Sequence, residues 1–270
     1  MIKIYAHLGP INHKNQNLGD MFGFHIAEYI LGRGNFVKLG MHDVDSVDEN
    51  TFSIVGSSIA PISQKPVKII GAGLINSNGR RYSELFRAVA VRGYMTKSLL
   101  LRDSGENAAV ISDPGLLFST IYKDSIPFVS EKKPLGFIIH KVDRECFRQK
   151  FPHFVDDMID NHAEPLDFID KVTQYECVVS TALHGVIFCH SLGIRVAPFV
   201  LTDQLFGGEF KFMDYYSSLG IDLQGRLRLD AHDSRLLESL VRSFPQPSRM
   251  QVVDIQHKQL ELIRENLHVS

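Results

Sequence analysis

The segment Cys177 to Leu192, CVVSTALHGVIFCHSL, restricts the fold more than any other part of the chain. Cys177, Val178 and Val179 suit a strand buried on both faces, and the helical run that follows ends at Gly193. Between them, Ser180 and Thr181 are residue types that cap helix N-termini. A helix that begins just past a strand's carboxyl end presents partial positive charge and unpaired N–H groups there. An anion is therefore favoured where His184 and the close-approaching Gly185 stand, and a histidine at such a point suggests acid–base chemistry on it.

The same strand-then-helix unit recurs along the chain. Strands are expected at Ile2–Ala6, Phe52–Val55, Val67–Ile70, Ala88–Val91 and Ala108–Ile111, with helices after Asn17 and over Tyr94–Leu101. Two of the strands run straight into small residues, Gly56-Ser57-Ser58 and Gly71-Ala72-Gly73, where backbone can approach a ligand. Tyr122–Pro134 carries two prolines and several charges and reads as a linker. A second series follows, with strands at Leu135–Ile139 and Arg195–Val200 around the Cys177 unit, and helices at Asp143–Phe151, Pro165–Gln174, Arg235–Phe244 and Val252–Leu267. This alternation predicts an α/β protein of two doubly wound, Rossmann-like domains, 1–125 and 126–270, facing a cleft, with the last helix able to cross back. Ligands of such sheets bind outside the strands' carboxyl ends.

Of the 270 residues, 44% are apolar and 22% charged, and the formal net charge is −2. Nothing in that balance attracts nucleic acid or an anionic membrane, so any anion must be gripped locally. Three cysteines without CxxC spacing read as reduced core residues of a cytoplasmic protein. No apolar run approaches the roughly 20 residues of a spanning helix, although peripheral contact with a membrane face stays open. Neither a dinucleotide GxGxxG after the first strand, nor a phosphate-binding loop ending Gly-Lys-Ser/Thr, nor a GxSxG elbow is present. His184, Cys189 and His190 lie five and six positions apart on one helix, a poor metal spacing, and no metal site is expected.

Six segments, taken in order, resemble the polysaccharide pyruvyltransferases: NLGD from Asn17, VRGYMTKSLL from Val91, ISDPGLLF from Ile111, GFIIHKVDRE from Gly136, VVSTALHG from Val178 and KFMDYYSSLGI from Lys211. The resemblance implies a two-domain fold like that of GT-B glycosyltransferases. It also implies transfer of an enolpyruvyl group from phosphoenolpyruvate to a sugar as a cyclic ketal, without metal or other cofactor. The acceptor it implies is a lipid-linked oligosaccharide of exopolysaccharide or capsule assembly, met at the inner membrane face.

On that resemblance His184 is the general acid–base, and Arg92, whose fork suits a carboxylate or phosphate, is its catalytic partner. Donor and acceptor contacts fall to Asn17, Gly19, Asp20, Gly71, Gly73, His140, Ser180, Leu183, Gly185 and Lys211. Plainer readings stand beside several of these: Asn17 and Asp20 as helix caps, Asp113 as part of an Asp-Pro-Gly turn, Lys211 and Asp214 as a solvated ion pair. One departure stands out. Ala182 occupies a position where some relatives carry arginine and others serine, so Arg92, Arg144 or Lys211 must supply the missing cation, or the donor is bound differently, or activity is weakened. The competing functions are a nucleotide-sugar glycosyltransferase of the same fold, and a non-catalytic anion- or glycan-binding relative.

Overall fold

The computed structural model describes residues 1–9, 16–228 and 234–268. Two sheets dominate them. The first is formed by β1 (Lys3–Tyr5), β2 (Val37–Leu39), β3 (Thr51–Ser53), β4 (Val67–Ile70), β5 (Arg87–Val91) and β6 (Ala109–Val110), in the order β2-β1-β3-β4-β5-β6. The second holds β7 (Lys133–Ile138), β8 (Met158–Ile159), β9 (Tyr175–Ser180), β10 (Arg195–Val200) and β11 (Leu227–Arg228), in the order β11-β10-β9-β7-β8. Every strand pair is parallel. Most strands are connected by helices, as parallel pairing favours, namely α1 (Leu18–Leu31), α2 (Ile59–Ile62), α3 (Tyr94–Ser104), α4 (Phe118–Ile121), α5 (Arg144–Lys150), α6 (Pro165–Val172), α7 (Leu183–Leu192) and α8 (Phe210–Ser218), and α9 (Ser234–Ser243) and α10 (Arg249–Asn266) follow the last strand.

The strand order reverses once in each sheet. In the first, β1 has β2 on one side and β3 on the other; in the second, β7 lies between β8 and β9. The chain leaves such neighbouring strands in opposite directions, and a crevice opens at their carboxyl ends. The segments that leave β1 and β3 are therefore placed to meet a ligand, as are those that leave β7 and β9.

One apolar core joins the sheets. It runs from Ile4, Phe22 and Ile54 through Phe118 and Phe188 to Val178 and Val196. The Phe118 and Phe188 rings stack with centroids 4.3 Å apart, and Phe22 meets Phe188 edge-on at 5.4 Å. The outer face of each sheet has its own smaller core, around Ile69 and Val91 in the first and around Phe137 and Val179 in the second. α10 lies against the N-terminal half, where Gln256 Nε2 donates to the Leu116 carbonyl at 2.6 Å and Gln259 Nε2 to that of Ile111 at 2.8 Å. Among the described residues no helix is long and apolar enough to cross a membrane. Cys146, Cys177 and Cys189 are all free thiols.

Candidate functional site

A cavity of about 150 Å³ opens at both reversal points together. His7 follows β1 and Ser57 follows β3, while His140 follows β7 and Ala182, Leu183 and His184 follow β9. α1 adds Asn17 and Asp20 from its first turn, α8 adds Lys211, and Ile75, Leu205 and Phe206 form an apolar side. Phe206 is 71% exposed.

Two helix N-termini point into this space. Asn17 caps α1, its Oδ1 accepting the Gly19 N–H at 2.9 Å. At α7 the capping residue is Ala182, which has no side-chain acceptor. Ser180 and Thr181, the expected caps, are occupied otherwise: Ser180 Oγ takes the Ala182 N–H at 3.1 Å, and Thr181 Oγ1 takes the His140 N–H at 2.7 Å. The opening N–H groups of α7 therefore stay available to an anion. Ser180 is wholly buried behind the wall, and Gly185 makes room for it, since a Cβ there would fall 2.4 Å from Ser180 Oγ.

His184 is fitted tightly. A Cβ on Gly19 would lie 2.0 Å from its Cγ and Nδ1, and Phe188 stacks on the ring at 5.9 Å. Burial, reinforced by the charges of Arg92 and Lys211, pulls its pKa down to about 3, so the imidazole is neutral near pH 7. Burial likewise takes His140 to about 4, aided by Lys211, His162 and Arg144, and lowers His7. It lifts Asp20 to about 7 against the pull of Lys211, with Asp113 adding to the rise. Lys211 falls to about 8 through burial, with Arg92 and Arg226 pushing the same way and Asp20 and Asp143 opposing.

Arg92, expected as a catalytic partner of His184, is wholly buried and lies outside the cavity wall. Its Nε donates to Asp214 Oδ2 at 2.9 Å, one terminal nitrogen to Ser57 Oγ at 2.9 Å and the other to the Leu74 carbonyl at 2.6 Å. Gly73 exists for this packing, because a Cβ there would lie 2.5 Å from the guanidinium carbon. Gly71, at a φ of +106°, makes room for Pro114, whose ring would lie 2.3 Å from an added Cβ. Neither glycine faces the cavity. Arg144 is likewise committed, to Asp160 and to Asn161 and His162. Of the three cations able to replace the arginine that Ala182 displaces, Lys211 is the one in the cavity wall.

A family model for polysaccharide pyruvyl transferases matches residues 17–202. The chain belongs to that family. An uncharacterized protein of Acanthamoeba polyphaga mimivirus is 32% identical to it over 222 residues, which is 77% of this chain and 73% of the viral protein.

The matched span ends at residue 202. Lys211 and Asp214 fall just beyond it. The sequence paired them with each other in solvent; the structure separates them. Asp214 is wholly buried, its Oδ1 accepting the Thr96 N–H at 2.8 Å and its Oδ2 the Thr96 hydroxyl at 2.7 Å as well as Arg92. Lys211 is left to the cavity. His7, two residues past β1, escaped the sequence reading, and Ser57 entered it only as part of a small-residue turn that backbone can open to a ligand. Asp113 was read as a turn residue, and it does accept the Gly115 N–H at 2.8 Å through Oδ1. It also faces His184, with Oδ2 3.9 Å from Nε2.

Proposed function

We propose that this chain transfers the enolpyruvyl group of phosphoenolpyruvate to a sugar hydroxyl pair as a cyclic ketal. The observation that carries the reading is the meeting of His184, Lys211 and the uncapped α7 N-terminus in one cavity. A phosphate and a carboxylate need a cation and N–H donors, and a volume of about 150 Å³ suits a three-carbon acid better than a nucleotide sugar. Pockets for drug-sized ligands run roughly 300–1,000 Å³.

In this reading Lys211 and the α7 N–H groups hold the two anionic groups of the donor. The donor's negative charge raises the affinity of His184 for a proton, reversing the bias that burial imposes. His184 then delivers that proton to the methylene carbon, which becomes a methyl group and leaves the adjacent carbon electron-poor. A sugar hydroxyl oxygen bonds to that carbon and gives its proton to Asp20, whose raised pKa suits a base working near neutrality. The carbon–oxygen bond to phosphate breaks, phosphate departs with the electron pair, and a second hydroxyl closes the ring with loss of its own proton. The exposed ring of Phe206 at the cavity side offers an apolar platform to the acceptor sugar. We assign the acceptor to a carrier-linked oligosaccharide of exopolysaccharide or capsule assembly, reached from the cytoplasmic membrane face.

Thermal melting with candidate donors tests the donor assignment, since a ligand that binds only the folded state raises the midpoint. Phosphoenolpyruvate should raise it and nucleoside diphosphates should not. Protection by nucleoside diphosphates alone would instead mark a glycosyltransferase.

A further inference from the structure

The side of His184 turned from solvent is not explained by substrate contact. Its Nε2 is sealed off without a hydrogen bond, and so is Oδ2 of Asp113, 3.9 Å away. A buried ring nitrogen and a buried carboxylate oxygen left unpaired are each unfavourable, and with a proton on Nε2 a small contraction of this gap would satisfy both. Asp113 is rigidly set for that partner. It is wholly buried, Oδ1 is anchored by the Gly115 N–H, and a Cβ on Gly115 would lie 3.1 Å from that oxygen and 2.9 Å from Ile187. The imidazole is confined in turn by Gly19 and Phe188.

We infer that Asp113 is a positioning residue for His184: its Oδ2 accepts a hydrogen bond from Nε2–H, fixes the proton on that nitrogen and leaves Nδ1 to the cavity. A carboxylate in this place selects one tautomer and favours the imidazolium that forms when Nδ1 gains a proton. Arg92 and Lys211 oppose that charge. Asp113 is itself governed by burial, which raises its pKa to about 6, with Arg92 and the Gly115 and Gly56 N–H groups favouring its charged form and Asp214 opposing it. The Gly56 N–H acts from outside hydrogen-bond geometry, so Oδ2 remains free for His184. The pairing rests on the proposed reaction only for its catalytic consequence.

Nitrogen-15 NMR of histidine-labelled, ligand-free protein reads the tautomer without any substrate. At pH 7.5 His184 should be the neutral Nε2–H form, and Asp113→Asn, which retains an oxygen for Gly115 but can present an amide donor to Nε2, should move the proton to Nδ1. Turnover of that variant should fall roughly 100-fold or more with KM little changed, as a wrong tautomer costs the proton-transfer step rather than binding. A wild-type Nδ1–H tautomer would overturn the inference whether or not the variant folds. So would a folded Asp113→Asn with an unaltered tautomer and pH profile. An Nε2–H tautomer in a protein that never consumes phosphoenolpyruvate would leave the pairing standing and remove only the donor assignment.

Discussion

Arg92 donates from Nε to Asp214 Oδ2 at 2.9 Å, with both side chains wholly buried and the two residues 122 positions apart in the chain. The pair ties β5 of the first sheet to α8, which joins β10 and β11 of the second, and the tie is close. A Cβ on Gly93 would fall 1.8 Å from the Asp214 carbonyl oxygen. Because Arg92 also holds Ser57 of the cavity wall, the ion pair frames the site from behind.

Removing one partner of that pair should be costly. Asp214→Ala leaves a guanidinium buried without its counter-charge, a change worth about 3–5 kcal/mol. Urea denaturation should show the loss, and Arg92→Met combined with Asp214→Leu should recover only part of it, because the Thr96 N–H and the Leu74 carbonyl are then buried without partners.

Gly19→Ala should damage the site while sparing the fold. The new methyl would stand 2.0 Å from the His184 ring, so the ring must shift, at about 1–3 kcal/mol and with most of the turnover lost. Gly23→Ala in the same helix is the control. Its nearest neighbour would be 3.9 Å away, and the helix should gain up to about 1 kcal/mol.

Lys211→Met should weaken donor binding. A charge-assisted hydrogen bond contributes about 1.5–3 kcal/mol, and 1.4 kcal/mol is tenfold, so the donor KM should rise roughly 10- to 100-fold in a protein that still folds.

Asp20 gives the stability a recognisable pH dependence. Its carboxyl ionises near 3.8 in an unfolded chain and at about 7 in the fold, so its contribution is complete below the first value and lost as pH rises through the second. Lys211, depressed from 10.5 to about 8, behaves oppositely: its contribution is complete above 10.5 and lost as pH falls through about 8. Asp20→Asn should therefore raise the melting midpoint at about pH 7.5 and leave it nearly unchanged at about pH 4. Differential scanning calorimetry at the two pH values measures the contrast.

What the sequence disclosed follows from what is local. The strand, turn and helix around His184 were legible because an apolar run, a polar turn and a closing glycine are all contiguous. The strand Val67–Ile70 was read with the boundaries it has. Val37–Leu39, Met158–Ile159 and Leu227–Arg228 went unseen, because Lys38, Asp157, Asp160, Arg226 and Arg228 break up the apolar runs there. Partner choice was the larger loss. Asp214 was given its neighbour Lys211, but its actual partner comes from the other half of the chain. Arg92 looked like a free fork for a ligand because nothing local reveals that Asp214, Ser57 and Leu74 surround it. Asp113 explained itself as a turn, and only the folded chain shows what its second oxygen faces.

The central claim is that the cavity beside His184 and Lys211 binds phosphoenolpyruvate. Isothermal titration calorimetry of the purified chain tests it without knowledge of the acceptor. One molecule of phosphoenolpyruvate should bind per chain, with roughly 10- to 100-fold lower affinity in Lys211→Met. A folded wild-type protein that takes up none of it at millimolar concentration, or a folded Lys211→Met that binds it as tightly as wild type, would contradict the account.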